Sequence, residues 1–222
     1  MAEGVHKITE SFEAELARYT GAPFAVAVDN GTSALFLSMR YEDIRNRVIM
    51  IPARTYPSVP CAIIQAGGLV EFMSVQGKTL KGPYPLIGCR TWDCALRFTA
   101  GMYEPGTFQC LSFTGPYKTL KLGKGGAILT DDYQAYLWFK RARFSGRREC
   151  SYLVDNFDML GWNMYMMPEI AARGLLLMAG FYDASGNPIH NEDVEKEYPD
   201  LSIFPIYDTK KEVARLKAAP GI

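Results

Sequence analysis

Histidine is scarce in this 222-residue chain: His6 and His190 are the only two, and they lie near opposite ends. That scarcity argues against a histidine-built metal site and against a serine–histidine–aspartate triad. The five cysteines (61, 89, 94, 110, 150) are odd in number and form no C-x-x-C pair. They read as small buried residues of a reducing, cytoplasmic compartment rather than as a disulfide framework or a metal knuckle. An excess of either charge is also lacking, since 24 Lys and Arg balance 24 Asp and Glu. No global field therefore attracts nucleic acid or an anionic membrane. No apolar run is long enough to span a bilayer, and the opening residues lack the pattern of a signal peptide.

What is present is the composition of a globular domain, 48% apolar and 22% charged. At this length one domain, or one domain with a small appendage, is expected. Apolar positions Phe12, Leu16 and Tyr19, closed by Gly21, predict an amphipathic helix. Strands are expected at FAVAVDN, RVIMIPA and LVEFMSV, with helices at GTSALFLSMRYEDI and SVPCAIIQAGG between them. YPLIGCRTWD reads as one strand ending at Asp93, and TFQCLSF and GGAILT as two more. Helices follow at about Tyr133 to Arg143 and at PEIAARGLLLMAGF. This alternation predicts an α/β domain with a mostly parallel sheet flanked by helices. From Asp183 the composition turns to Asn, Asp, Glu, Lys and Pro, as in a short, partly ordered tail. The basic run FKRARFSGRR reads as a solvated helix face before it reads as an anion site.

Three places carry candidate chemistry. At VAVDNGTSAL a strand ends, Asn30-Gly31 turns the chain, and Thr32-Ser33 opens a helix. The helix N-terminus and two hydroxyls suit a phosphate, although such hydroxyls are more often plain caps. Asp93 ends an apolar strand, where open α/β sheets bind ligands, and pairing with Arg90 or Arg97 is an equally good reading. Lys118, in CLSFTGPYKTLKLGKGGAILTDD, is not part of a nucleotide-gripping loop: Lys124 follows Gly123, but Gly125 stands where that pattern needs Ser or Thr. A buried lysine near a phosphate is a candidate amine nucleophile, whereas a lysine beside a turn is ordinarily just solvated.

In this order the segments resemble the DegT/DnrJ/EryC1/StrS family of sugar aminotransferases, fold-type-I enzymes dependent on pyridoxal 5'-phosphate (PLP). The resemblance is carried by SFEAELARYTGAPFAVAVDNGTSAL, VIMIPARTYPSVPCAIIQAGGLVEFMSV, DCALRF, LSFTGPYKTLKLGKGGAILTDD and GWNMYMMPEIAARGLLLM. It implies Lys118 as the Schiff-base lysine and Asp93 as the partner of the pyridine nitrogen. It further implies Tyr56 stacked on the ring, and Gly31, Thr32, Ser33 and Ser112 at the phosphate. Asn163 would reach the phosphate of a partner subunit in a homodimer with shared sites. The chain departs from the family at Leu96, where members place His or Gln, and in a strand–helix stretch absent between Val75 and Pro85. Residues 1–180 would form the PLP-binding large domain and 181–222 a reduced C-terminal segment. The implied reaction is transfer of an amino group, by family habit from glutamate, to a keto-sugar carried on a nucleotide. The alternatives are a relative that keeps the cofactor site without transamination and, more weakly, a nucleotide-binding module using LGKGG.

Overall fold

The computed structural model describes residues 3–211, 213 and 214, so the ends of both expected domains (1–2, 212 and 215–222) and the side chain of His6 lie outside it. The chain opens with α1 (Glu3–Thr20), β1 (Phe24–Val28) and α2 (Gly31–Tyr41). Next come β2 (Val48–Pro52), α3 (Ser58–Gln65) and β3 (Leu69–Met73). Three short strands follow: β4 (Thr79–Lys81), β5 (Tyr84–Pro85) and β6 (Thr91–Asp93). Then come β7 (Phe108–Ser112), β8 (Gly126–Thr130), α4 (Tyr133–Ala142), α5 (Pro168–Met178) and β9 (Glu195–Glu197).

The central sheet has the order β1-β8-β7-β6-β5. Its side chains alternate between two cores, as the two-residue period of a strand requires. Val26, Val28, Phe108 and Ile128 join Leu37 and Phe139 on the face covered by α2 and α4. Ala25, Ala27, Leu111 and Leu129 join Phe12, Leu16 and Ala171 on the face covered by α1 and α5. Burial on both faces explains why these strands are mostly apolar in sequence.

Three expectations change. The sheet is mixed rather than mostly parallel: β6 and β7 run parallel, while β1/β8, β7/β8 and β5/β6 are antiparallel. A strand that returns without a crossover helix must pair antiparallel, and the loop from β7 to β8 contains none. The outlying β2 and β3, joined through α3, keep the parallel arrangement. YPLIGCRTWD is a hairpin, not one strand, with Tyr84 opposite Asp93 and the chain reversed near Gly88 at φ +112°. The basic run is no solvated face. Arg143 is buried against the Glu13 carboxylate and the Ala27 carbonyl, and Lys140 lies 3.3 Å from Glu13 and 2.9 Å from Glu149. Glu13 also accepts the Ala27 N–H at 2.8 Å, so these charges fasten α1 and α4 to β1.

Two features outside the sheet matter later. The segment after α5 packs back on the body, where β9 pairs antiparallel with β4 and Asp193 pairs with Arg97 at 2.7 Å. The loop 146–161 leaves α4 through a tight neck: a Cβ on Gly146 would strike the Met159 carbonyl, and one on Gly161 the Gly146 nitrogen. Only glycine lets two backbones cross so closely. The loop carries Leu153 (94% exposed) beyond that neck, and Leu160 (92% exposed) stands at the neck itself.

Candidate active site

A cavity of about 370 Å³ opens where β1, β6 and β7 end. At one end stands the N-terminus of α2. Asn30 caps it, its Oδ1 accepting from the Ser33 N–H at 2.9 Å. The Thr32 hydroxyl donates to Ser58 Oγ at 2.8 Å, and Ser33, Ser112 and Thr114 line the same wall. Gly31 is required for that approach, because a Cβ there would lie 2.7 Å from the Ser112 Cβ. The result is a cluster of hydroxyls around the positive end of an 11-residue helix, which is the chemistry of an oxyanion or phosphate cradle.

Asp93 lies deeper in the cavity. It is buried at the end of β6, and neither expected arginine reaches it: Arg90 pairs with Glu42 and Asp132, and Arg97 with Asp193. Instead its Oδ1 accepts from the Ala95 N–H at 2.8 Å and its Oδ2 from the Tyr84 hydroxyl at 2.9 Å. Burial pushes its carboxyl above the ordinary value, and these hydrogen bonds and the charge of Lys118 oppose the rise.

Lys118 extends from the loop between β7 and β8 into the cavity, also buried, and donates to the Ala95 carbonyl at 2.5 Å. The peptide groups flanking one alanine thus hold both the lysine and the aspartate. Burial lowers the proton affinity of the amine to about 8, with Asp93 pulling it the other way. Its nitrogen lies 4.8 Å from the centre of the Tyr117 ring.

Seven of the eight expected site residues line this cavity: Gly31, Thr32, Ser33, Tyr56, Asp93, Ser112 and Lys118. Asn163 does not. It is exposed and forms a bridge with Phe144. Leu96 also lines the cavity, as do Thr55, Tyr84, Tyr117 and Tyr198, none of which the sequence pointed to as site residues. Gly88, a glycine inside an apolar run, was the available sign of the reversal that brings Tyr84 to Asp93. Tyr198 reaches the cavity from far along the chain and had no local sign. Among the described residues no group of His, Cys, Asp or Glu is arranged to hold a metal ion, and no helix is long and apolar enough to cross a membrane.

A family model matches residues 5–82 of the chain. It describes the DegT/DnrJ/EryC1/StrS aminotransferase family. Comparison with curated protein sequences gives no match. Solved structures share the fold of the fold-type-I aminotransferases. AtS13 from Actinomadura melliaura is 20% identical with a TM-score of 0.66, covering 76% of this chain and 58% of its own. An aminotransferase from Psychrobacter cryohalolentis is 18% identical with a TM-score of 0.65, covering 79% and 56%. Spr1654 from Streptococcus pneumoniae, solved in its PMP-form, is 18% identical with a TM-score of 0.61, covering 78% and 58%. The chain therefore resembles a shortened member of the family, spanning less than three fifths of the length of these structures.

The family match indicates PLP as the cofactor. The residues present fit it. Hydroxyls and a helix N-terminus suit its phosphate, and a buried amine suits its aldehyde. A buried carboxylate with no arginine partner suits a protonated ring nitrogen, since such a carboxylate is costly without a cation.

Proposed function

We propose that the chain is a PLP-dependent aminotransferase that moves an amino group from an amino acid, glutamate being the expected donor, to a keto-sugar carried on a nucleotide. The observation that carries this reading is the placement of Lys118: a buried amine with its proton affinity lowered to about 8, in one cavity with a buried carboxylate and the hydroxyl-rich end of α2.

When bound, PLP supplies an electron sink that makes a proton on the neighbouring carbon of an amino acid removable. The chain's own residues do the rest. Near pH 8 the Lys118 amine can be neutral, so Nζ can take a proton from one carbon and return it to another without leaving its burial. Asp93, fixed through both oxygens, would hold a cationic ring nitrogen and keep it protonated. Gly31, Thr32, Ser33 and Ser112 would hold the phosphate end, and Tyr56 would cover the ring. Tyr117, Tyr198 and Leu96 add aromatic and apolar surface to the cavity wall, which helps exclude water.

Adding PLP and reducing with borohydride should leave a pyridoxyl group on Lys118, found by peptide mass mapping. Attachment to another lysine, or none, removes the assignment. Glutamate should then convert the bound cofactor in a single-turnover absorbance measurement. A chain that captures PLP on Lys118 but ignores glutamate would instead be a non-catalytic relative, a reading favoured by the span of 58% or less.

We place residues 1–180 as the cofactor domain and 181–222 as a short C-terminal segment in a cytoplasmic protein. We further propose a two-fold homodimer in which Asn163, exposed and away from its own cavity, serves the partner's phosphate. Sedimentation giving a PLP-loaded monomer at micromolar concentration would exclude that assembly.

A further inference from the structure

Within the cavity wall, three side chains form a line that the amino-transfer reading leaves unexplained. Thr55 follows β2, Tyr84 begins β5 and Asp93 ends β6, so three separate segments converge. All three are buried, with Thr55 at 0% exposure. The Thr55 hydroxyl lies 2.5 Å from the Tyr84 hydroxyl, which donates to Asp93 Oδ2 at 2.9 Å. A phenol has one proton. Because Tyr84 gives its proton to Asp93, Thr55 must be the donor in the first contact. The donors therefore run in one direction, Thr55 to Tyr84 to Asp93, and a hydrogen bond donated in that direction is strongest to the ionised carboxylate. A protonated Asp93 could give its proton to the phenol oxygen and reverse the line.

We propose that Tyr84 is a positioning residue: its hydroxyl, held by Thr55, fixes the Asp93 carboxylate in orientation and in its charged form for a cationic ring nitrogen. The function of that carboxylate rests on the amino-transfer reading, whereas the link between Tyr84 and Asp93 does not. The ring of Tyr84 fixes the phenol, since it packs in the same core as Ile49 and Ile51. Cross-strand pairing with Asp93 sets the distance. Titratable groups facing Asp93 from the surrounding elements are Lys118 and Tyr117 from the loop after β7, Cys94 beside it, Cys110 on β7 and Tyr198 near β9. Of these only Lys118 brings a positive charge, and burial lowers its hold on the proton to about 8. Loss of the Tyr84 donor would leave Asp93 with the Ala95 N–H and an amine that is itself half-neutral near pH 8.

The test is an NMR titration of ¹³C-labelled aspartate in the cofactor-free protein, with the Asp93 signal assigned through Asp93→Asn. Tyr84→Phe keeps the ring and removes only the hydroxyl. It should raise the Asp93 midpoint by about one pH unit, a tenfold gain in proton affinity. Thr55→Val should raise it by less. An unchanged midpoint in a natively folded Tyr84→Phe protein overturns the proposal. If that variant does not fold, Thr55→Val decides by the same criterion. A second readout follows PLP affinity by absorbance. Tyr84→Phe should weaken it at low pH and recover it as pH rises and Asp93 re-ionises, whereas a packing defect would weaken it equally at every pH. If the unaltered protein takes up no PLP, the amino-transfer reading falls, and the NMR arm still decides the role of Tyr84.

Discussion

Asp93, Ser112 and the turn at Gly31 face the cavity from elements of the five-stranded sheet and its first crossover helix, whereas Tyr198 faces it just beyond a strand held by three residue pairs. Asp93 sits between strands on either side, and its neighbours are almost entirely buried. The strand before Tyr198 is exposed at all three of its positions, although Tyr198 itself is buried. Its ties include the Arg97–Asp193 pair, a hydrogen bond from Arg54 to the Tyr198 carbonyl at 3.0 Å and one from the Tyr198 N–H to the Lys78 carbonyl at 3.1 Å. The end at Asp93 is preorganised by the sheet core and the wall at Tyr198 by polar and backbone ties, so the two should respond differently to substitution. Chemistry belongs to the rigid end, and adjustment to the size of a substrate belongs to the loosely tied one.

The hardest blow to that comparison should come from Lys118→Ala. It should end covalent capture of PLP entirely while leaving the circular dichroism spectrum intact. A captured cofactor in this variant would mean that another amine does the work. Asp93→Asn comes next, slowing the glutamate half-reaction by about 10²–10³-fold, the equivalent of a few kcal/mol in the barrier. Stopped-flow rates near those of the unaltered protein would reduce Asp93 to a structural part of the hairpin. Gly31→Ala drives a Cβ against Ser112 and should weaken PLP binding by about tenfold or more, measured by absorbance titration. Equal affinity would show that the phosphate end yields more than its packing suggests.

A gentler probe is pH. Lys118 holds its proton to about 8 in the folded chain against an ordinary 10.5, so the rate of PLP capture should climb with pH and level off above about 8. The unfolded chain binds more protons across that interval, and the Lys118 contribution to folding stability should therefore rise from about pH 8 toward 10. A capture rate that keeps climbing past pH 9 toward the ordinary 10.5 would place the amine in water. The smallest effect is expected at the wall by Tyr198: Arg97→Ala should raise the KM for the amino acceptor by a few fold and leave the glutamate half-reaction unchanged. A loss in both would erase the distinction between the two ends.

The end at Asp93 and Gly31 was also the more legible in sequence. Asn30, Gly31 and Thr32 announce themselves because a cap and a turn are local events, decided by neighbouring residues. The apolar strands were equally plain, since burial on both faces leaves a continuous run. Strand direction was not, because an antiparallel return to β8 depends on the absence of a crossover helix rather than on any residue within the strand. The reversal between Tyr84 and Asp93 was hidden by the apolar residues on either side of Gly88, which look alike in a strand and in a buried turn. Arg143 misled for a related reason: a basic run gives no sign that Glu13, more than a hundred residues earlier, lies against it. Tyr198 was invisible, since its place in the wall depends on β9 finding β4.

The crossing of Gly146 and Gly161 makes the loop beyond it a cassette. With its two ends touching at the neck, the tip near Leu153 can be lengthened or exchanged without prising α4 from the sheet. A short affinity peptide spliced between Leu153 and Val154 should therefore leave PLP uptake untouched.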